Sequence, residues 1–249
     1  MPVTKVTERL FVSALLTSLL LITPGMPAQA TAPKAPAPKA QNSTASSQAF
    51  LDGLWRDARA AGISRKTFDL ALSGFKPDPS IIALTKKQSE FVRPIWSYLD
   101  NAISETRLAR GRSAGQQFAS ELAEIERKYG VDRRIVLGIW GMETNFGSYT
   151  GDKDVFRSLA TLAQARYRDN FFRDELLVAL KMLEDGLANR TSMRGSWAGA
   201  MGHTQFMPSS FMKYAVDHDG DGVRDVWDTI PDALASTANY LASFGWQPG

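Results

Sequence analysis

Cysteine is absent from the 249 residues, which excludes a disulfide framework, a thiolate metal centre and a cysteine nucleophile. Histidine is scarce: His203 and His218 are too few for a multi-histidine zinc centre within the chain. Neither a strict glycine period nor sustained heptads occur, so a collagen-like or coiled-coil rod is excluded. No charge of one sign dominates. The formal net charge is +3, and without a dense Lys/Arg run no nucleic-acid partner is expected. What is present is ordinary globular composition, 44% hydrophobic and 22% charged, enough for one good core or two modest ones.

The apolar run from Leu10 to Ile22 is too short for a comfortable bilayer span. Lys5 and Arg9 precede it, Pro24-Gly25 interrupts it, and Ala28-Gln29-Ala30 supplies a small-x-small cleavage pattern. Residues 1–30 therefore read as a secretory signal, with an uncleaved N-terminal anchor as the alternative. No cysteine lies near Ala30 to carry a lipid, so no membrane anchor is expected after cleavage. Residues 31–48 are dominated by Pro, Ala, Lys and Ser without apolar periodicity, which predicts an extended, solvated linker. The folded domain is expected over 49–249.

From Phe50 the spacing is mostly helical. Leu51, Leu54, Trp55 and Ala58 define one face, and Gly62 closes that helix. Ser64 caps a second helix carrying Phe68, Leu72 and Phe75, which Lys76-Pro77-Asp78-Pro79 ends. Pro94 starts a helix with Ile95, Tyr98 and Leu99. Ser113 starts a longer one with Phe118, Leu122 and Ile125 inward and Gly130 after its end. Further helices are predicted over about 132–145, 155–166, 170–187, 208–215 and 229–244, and no sheet is expected. The fold class is mainly α. Two stretches interrupt it, the glycine-rich 195–202 and the Asp/Gly-rich 217–228, and binding chemistry is commonly carried by such loops on a rigid scaffold.

In the helix begun by Asp132, Ile135, Ile139 and Met142 fall within one arc, with Val136 on its flank. Glu143, four residues after Ile139, continues this face, which the pattern assigns to the interior. Burial disfavours a charged carboxylate and raises its pKa, so such a group can donate a proton near neutral pH. The bland alternatives are a partner arginine or a helix end turned to water. Glu124, Glu175 and Glu184 read as surface residues.

Gly195, Gly199 and Gly202, with Ser196, Ala198 and Ala200 between, allow close approach of a ligand to the backbone. Trp197, Gln205 and Phe206 add stacking surface and a bidentate amide, a combination suited to a sugar ring. A tight inter-helix loop is the structural alternative, and phosphate cradling lacks the lysine of a P-loop. Asp217, Asp219, Asp221, Gly222, Asp225 and Asp228 match positions 1, 3, 5, 6, 9 and 12 of a calcium loop, with the Val223 carbonyl at position 7. Asp228 stands where glutamate is usual. The alternative is a metal-free loop of Asx turns.

Taken together, Gly138-Ile-Trp-Gly-Met-Glu-Thr-Asn-Phe-Gly147, Gly195-Ser-Trp-Ala-Gly-Ala-Met-Gly-His-Thr-Gln-Phe-Met-Pro-Ser-Ser210, the acidic loop and Ala238-Asn239-Tyr240 through Gly245-Trp246 resemble the lytic murein transglycosylase B family. The resemblance implies a lysozyme-like α domain with an EF-hand-like calcium loop. It implies a periplasmic enzyme acting on peptidoglycan glycan strands, with other cell-wall enzymes as conceivable partners and no organic cofactor. It assigns the single acid/base to Glu143, and sugar contacts to Gln205 and Tyr240, with Ser196, Asn239 and Tyr98 as further contacts. One departure is that the chain stops at Gly249, where family members continue. A shortened cleft, or a non-catalytic peptidoglycan-binding protein, is the expectation that competes with an active enzyme.

Overall fold

The computed structural model describes residues 41–86 and 95–248. The expected signal, residues 31–40 of the expected linker, and Pro94 lie outside the described residues. The elements run α1 (Gln41–Ala60), α2 (Arg65–Leu72), α3 (Pro79–Leu84), α4 (Ile95–Ala102), α5 (Glu105–Gln117), α6 (Ala119–Tyr129), α7 (Arg133–Thr144), β1 (Lys153–Asp154), α8 (Val155–Gln164), α9 (Phe171–Glu184), β2 (Arg194–Gly195), α10 (Pro208–Tyr214) and α11 (Ile230–Ser243). Among the described residues the one sheet is β1 paired antiparallel with β2, Lys153 opposite Gly195 and Asp154 opposite Arg194.

Four expectations about elements change. Helix α1 begins at Gln41, so residues 41–48 are helical and not linker. Ser47 within it is buried, and its Oγ donates to Gln164 of α8 at 3.4 Å, a tertiary contact that local composition cannot announce. The helix expected from Ser113 begins instead at Glu105, where the Ser104 side chain accepts from the Arg107 N–H, and it breaks at Phe118. Its one buried residue is Ala114, so no apolar stripe marks its first two turns. Helix α3 is also additional: Pro79 sits in its first turn and Asp78 accepts from the Ser80 N–H at 2.9 Å, so the Lys76–Pro79 stop is also a start. The β1–β2 pair is too short for any alternation to reveal.

The buried side chains form two clusters. The larger takes Leu54 and Ala58 of α1, Phe68 and Leu72 of α2, Ile81 of α3, most of α8, and Phe172, Leu176 and Leu180 of α9. It extends to Met201, Phe206 and Phe211. The smaller takes Leu122 and Ile125 of α6, Val136 and Trp140 of α7, and Leu234, Ala235 and Ala238 of α11. Helix α11 serves both, since Ala233 belongs to the larger. The helix carrying Glu143 and the glycine-rich segment therefore rest on different cores, with the site along their seam.

Candidate active site

Helix α7 starts where the Asp132 carboxylate accepts from the Arg134 N–H at 2.8 Å. Its buried face is Val136, Trp140, Gly141 and Thr144, not the arc expected from the sequence. Ile135 and Met142 are 39% and 43% exposed, while Trp140 is 2% exposed. The reason is aromatic packing: the Trp140 ring meets Phe118 at 5.8 Å and Phe146 at 5.5 Å, both edge-on. That contact rotates the helix so that Val136 faces inward. Glycine makes it possible, because a Cβ on Gly141 would lie 2.6 Å from the Phe146 ring.

Glu143 consequently sits half-buried on the outer side of α7, beside the exposed Met142 and one turn beyond Ile139. Its carboxyl has no hydrogen-bond or ion-pair partner among the described residues, and desolvation pushes its pKa up to about 7. The expected consequence of burial is thus present, although the setting is an apolar surface and not the core. The partner-arginine alternative is not what the structure holds. Immediately after it the chain reverses: Asn145 and Phe146 take φ of 51° and 59°, left-handed conformations that fix the end of the helix.

The chain beyond Glu143 is stitched to the glycine-rich segment. Thr144 Oγ1 donates to the His203 carbonyl at 2.7 Å, and Gln205 Nε2 donates to the carbonyls of Thr150 and Gly202, each at 3.0 Å. Both Gln205 N–H donors are thereby used, which leaves Oε1 as the end that could meet a ligand. Gln205 itself has φ of 55°, a strained value for a residue with a side chain. A Cβ on Gly151 would lie 2.1 Å from the Gly195 carbonyl carbon, so two backbones touch there. Ser196 closes the segment on itself: its N–H donates to the Ala200 carbonyl at 2.8 Å and its Oγ accepts from the Ala200 N–H at 3.1 Å. The segment is a tight loop, and one whose neighbour is the candidate acid.

Tyr240 joins this wall through Phe206, 5.9 Å between ring centroids, and meets Tyr214 edge-on and Phe244 at a tilt. Asn239 is used differently, its Nδ2 donating to the Tyr214 carbonyl at 2.9 Å to hold α11 against α10. Tyr98 lies in α4, and its side chain is outside the described residues. A cleft of about 330 Å³ lined by Phe50, Gln164, Arg166 and Arg173 contains none of these residues. Glu143 lies outside that cleft, half-buried beside the exposed Met142 and the half-buried Ile139.

In the acidic loop, carboxylate oxygens of Asp217, Asp219 and Asp221 lie within 4.8 Å of one another. Asp217 accepts from the Gly222 and Gly220 amides, which hold its pKa below the usual carboxylate value. The structure does not bring Asp225 and Asp228 into that group. The Asp225 carboxylate instead accepts from the Trp227 and Asp228 amides at 2.7 and 3.0 Å, a turn that ends the loop. Val223 is 53% exposed. The loop is braced from below by Asp232, fully buried, whose carboxylate accepts from the His218 and Asp225 amides at 2.7 and 2.9 Å.

Asp232 escaped the sequence reading, as did Glu175. The latter is 4% exposed, against the expectation of a surface residue, and its carboxylate accepts from the Ser209 N–H at 2.9 Å and Oγ at 2.5 Å. Burial raises its pKa, although those bonds oppose the rise. It anchors the start of α10, directly after the Gln205–Met207 segment of the site. The signal was available: Glu175 falls three residues after Phe172 and four before Ala179, on the buried stripe of α9.

Comparison with known proteins gives this geometry its context. In Escherichia coli K12, membrane-bound lytic murein transglycosylase B is 34% identical over 212 residues, 81% of this chain and 58% of that protein. SltB3 of Pseudomonas aeruginosa, solved in complex with NAG-anhNAM-pentapeptide, superposes with a TM-score of 0.77 at 47% identity, over 82% of this chain and 54% of the other. The E. coli lytic transglycosylase Slt35, solved in complex with calcium, gives 0.72 at 34% identity, over 82% and 64% of the two chains. The chain thus spans a little over half the length of transglycosylase B and SltB3. The family model described as the transglycosylase SLT domain matches residues 46–249, all but the N-terminal portion, and the chain belongs to that family.

Proposed function

We propose that residues 49–249 carry the catalytic machinery of a periplasmic lytic transglycosylase. It would cleave the β-1,4 bond between N-acetylmuramic acid and N-acetylglucosamine and leave 1,6-anhydromuramic ends. The observation that carries this reading is Glu143: a half-buried carboxyl without a partner among the described residues, raised to about pKa 7 by desolvation, in the turn that Thr144 ties to the glycine-rich segment. Family membership and the peptidoglycan fragments bound by SltB3 support it.

In this mechanism protonated Glu143 donates to the glycosidic oxygen as the bond to the anomeric carbon breaks. The substrate's own 2-acetamido oxygen attacks that carbon, giving an oxazolinium-like intermediate. Glu143, now a carboxylate, removes the proton from the C6 hydroxyl, whose oxygen closes on the anomeric carbon and releases the acetamido group. One carboxyl serves twice, and substrate assistance replaces the second carboxylate of ordinary glycosidases. Gln205 Oε1 would accept from a hydroxyl or acetamido N–H of the sugar. Tyr240, Ser196 and Tyr98 would complete the contacts, while Asn239 acts through the Tyr214 backbone. Water is the competing nucleophile, and its exclusion decides between anhydro and reducing ends.

The converging carboxylates of Asp217, Asp219 and Asp221 are hard oxygen donors that fit a calcium ion, and the Val223 carbonyl, at position 7 of the loop, would be a further donor. The ion would neutralise carboxylates that repel one another and stiffen the loop, taking no part in the chemistry. That the Slt35 structure contains calcium supports the assignment. Export by cleavage after Ala30 would deliver the protein to its substrate.

The test is mass spectrometry of soluble products from purified sacculi treated with residues 31–249, beside Glu143→Gln. Anhydromuropeptides from the unaltered protein alone are the expected result. Reducing ends would indicate a muramidase, and intact sacculi bound by folded protein would refute the enzymatic reading.

A further inference from the structure

His203 is a seam residue. Its neighbours Met201 and Phe206 belong to the larger core, whereas its ring packs edge-on against Trp140 of the smaller one, 5.6 Å between centroids. The buried Trp140 Nε1–H donates to His203 Nδ1 at 3.1 Å. An accepting Nδ1 places the ring proton on Nε2, and the other side of the ring meets the Trp227 backbone. The main chain of His203 is used as well. Its carbonyl accepts from Thr144 Oγ1, next to Glu143, and its N–H donates to the Val226 carbonyl at 2.9 Å. Gly147, at φ 76°, lets the chain pass over the ring, since a Cβ there would lie 2.4 Å from His203 Cε1.

We propose that His203 is a positioning residue for Glu143: its ring and carbonyl hold the last turn of α7 in register with the glycine-rich segment. The inference rests on Glu143 being the acid/base. Two of its bonds bracket Glu143 along the helix, at Trp140 three residues before and Thr144 one after. No other described side chain is hydrogen-bonded to Trp140 Nε1. The carbonyl bond survives any substitution, so the side chain's contribution is the ring's grip on Trp140. Losing it loosens the seam and lets water reach Glu143. A displacement of about 1 Å at a catalytic group can cost roughly a hundredfold in rate.

The test compares His203→Ala with His203→Asn, whose Oδ1 can take the place of Nδ1 as acceptor, in the chain from residue 31. Three readouts are used: kcat and KM on purified glycan strands, the ¹⁵N indole resonance of Trp140, and the Glu143 carboxyl titration followed by ¹³C NMR. For His203→Ala, kcat is expected to fall about ten- to a hundredfold with KM within about twofold. The Trp140 indole signal should shift and exchange faster, and the Glu143 midpoint should move down from about 7, where desolvation alone holds it. His203→Asn should recover most of each change. An unaltered kcat and Glu143 midpoint in His203→Ala, or an Asn variant no better than Ala, would overturn the proposal. Should His203→Ala fail to fold, Trp140→Phe removes the same bond from the other side and is held to the same readouts. The two NMR readouts need no turnover, so an inactive parent would refute the enzymatic reading while still deciding this one.

Discussion

Replacing Glu143 by glutamine should stabilise the protein as pH rises while abolishing turnover. The carboxyl is raised from 4.5 to about 7 by desolvation, so its ionised form is disfavoured in the folded chain. Below about pH 4.5 the group is protonated in both folded and unfolded states and contributes nothing to pH dependence. Between 4.5 and 7 the unfolded chain ionises while the folded one resists, and stability declines by up to about 1.4 kcal/mol per unit. The gap of about two and a half units gives an upper estimate of roughly 3 kcal/mol, fully lost above pH 7, and partial exposure of the group reduces it. Glutamine has a similar shape and does not ionise. In a domain of this size about 1 kcal/mol moves Tm by about 2–4 °C. Thermal unfolding of both proteins from pH 4 to pH 9 should give coincident Tm values at the acid end. By pH 8 the glutamine variant should be higher, by at most about 6–12 °C. A difference independent of pH would show that Glu143 titrates as an ordinary surface carboxylate, and the acid role would lose its physical basis. The same pKa requires turnover by the unaltered protein to fall as pH rises through about 7, because the first step needs the protonated form.

Glu175→Ala should destabilise the fold by about 2–4 kcal/mol in urea unfolding, since it leaves the Ser209 N–H and hydroxyl without their buried acceptor. A cost below about 0.5 kcal/mol would mean that water replaces the carboxylate freely. Calcium should raise the Tm of the unaltered protein and leave Asp219→Ala nearly unmoved, because the variant breaks up the converging carboxylates. An equal rise in both would exclude Asp219 as a ligand.

The sequence showed the helices with strong apolar stripes and missed those without. Helices α2, α8, α9 and α11 were expected to within a few residues, because each buries several apolar positions, α2, α8 and α9 in the larger core and α11 chiefly in the smaller one. Helix α5 buries only Ala114, so its first turns carry no periodic signal at all. On α7 the stripe was legible and misassigned. Ile135, Ile139 and Met142 form a real arc, but two of them face outward and Trp140 decides the buried side. Periodicity identifies an apolar face and cannot say whether a core or a substrate groove lies against it. Glu143 was singled out on a face expected to be interior; it is half-buried at the surface instead, and desolvation raises its pKa in either setting. In the acidic loop, three of the expected carboxylates, Asp217, Asp219 and Asp221, do converge. Spacing could not foresee that Asp225 would turn to cap Trp227 and Asp228, or that Asp232 would close the loop from α11.

Placing the site on the seam of two cores has a mechanical consequence. Glu143 is fixed to the smaller cluster through Trp140, while Gln205 and Ser196 belong to the segment held by the larger through Met201 and Phe206. Their separation therefore depends on few bonds: Thr144 to the His203 carbonyl, Trp140 to the His203 ring, and Gln205 to the Thr150 carbonyl. Each core is packed and resists deformation, so motion between acid and sugar segment concentrates at these bonds. The strained backbone at Asn145, Phe146 and Gln205 lies beside the same bonds. Strain of this kind persists only where surrounding contacts hold it, and here those contacts cross the seam between the two cores. Substitutions inside either core should therefore lower stability first. Substitutions at the seam should alter turnover at little cost in Tm.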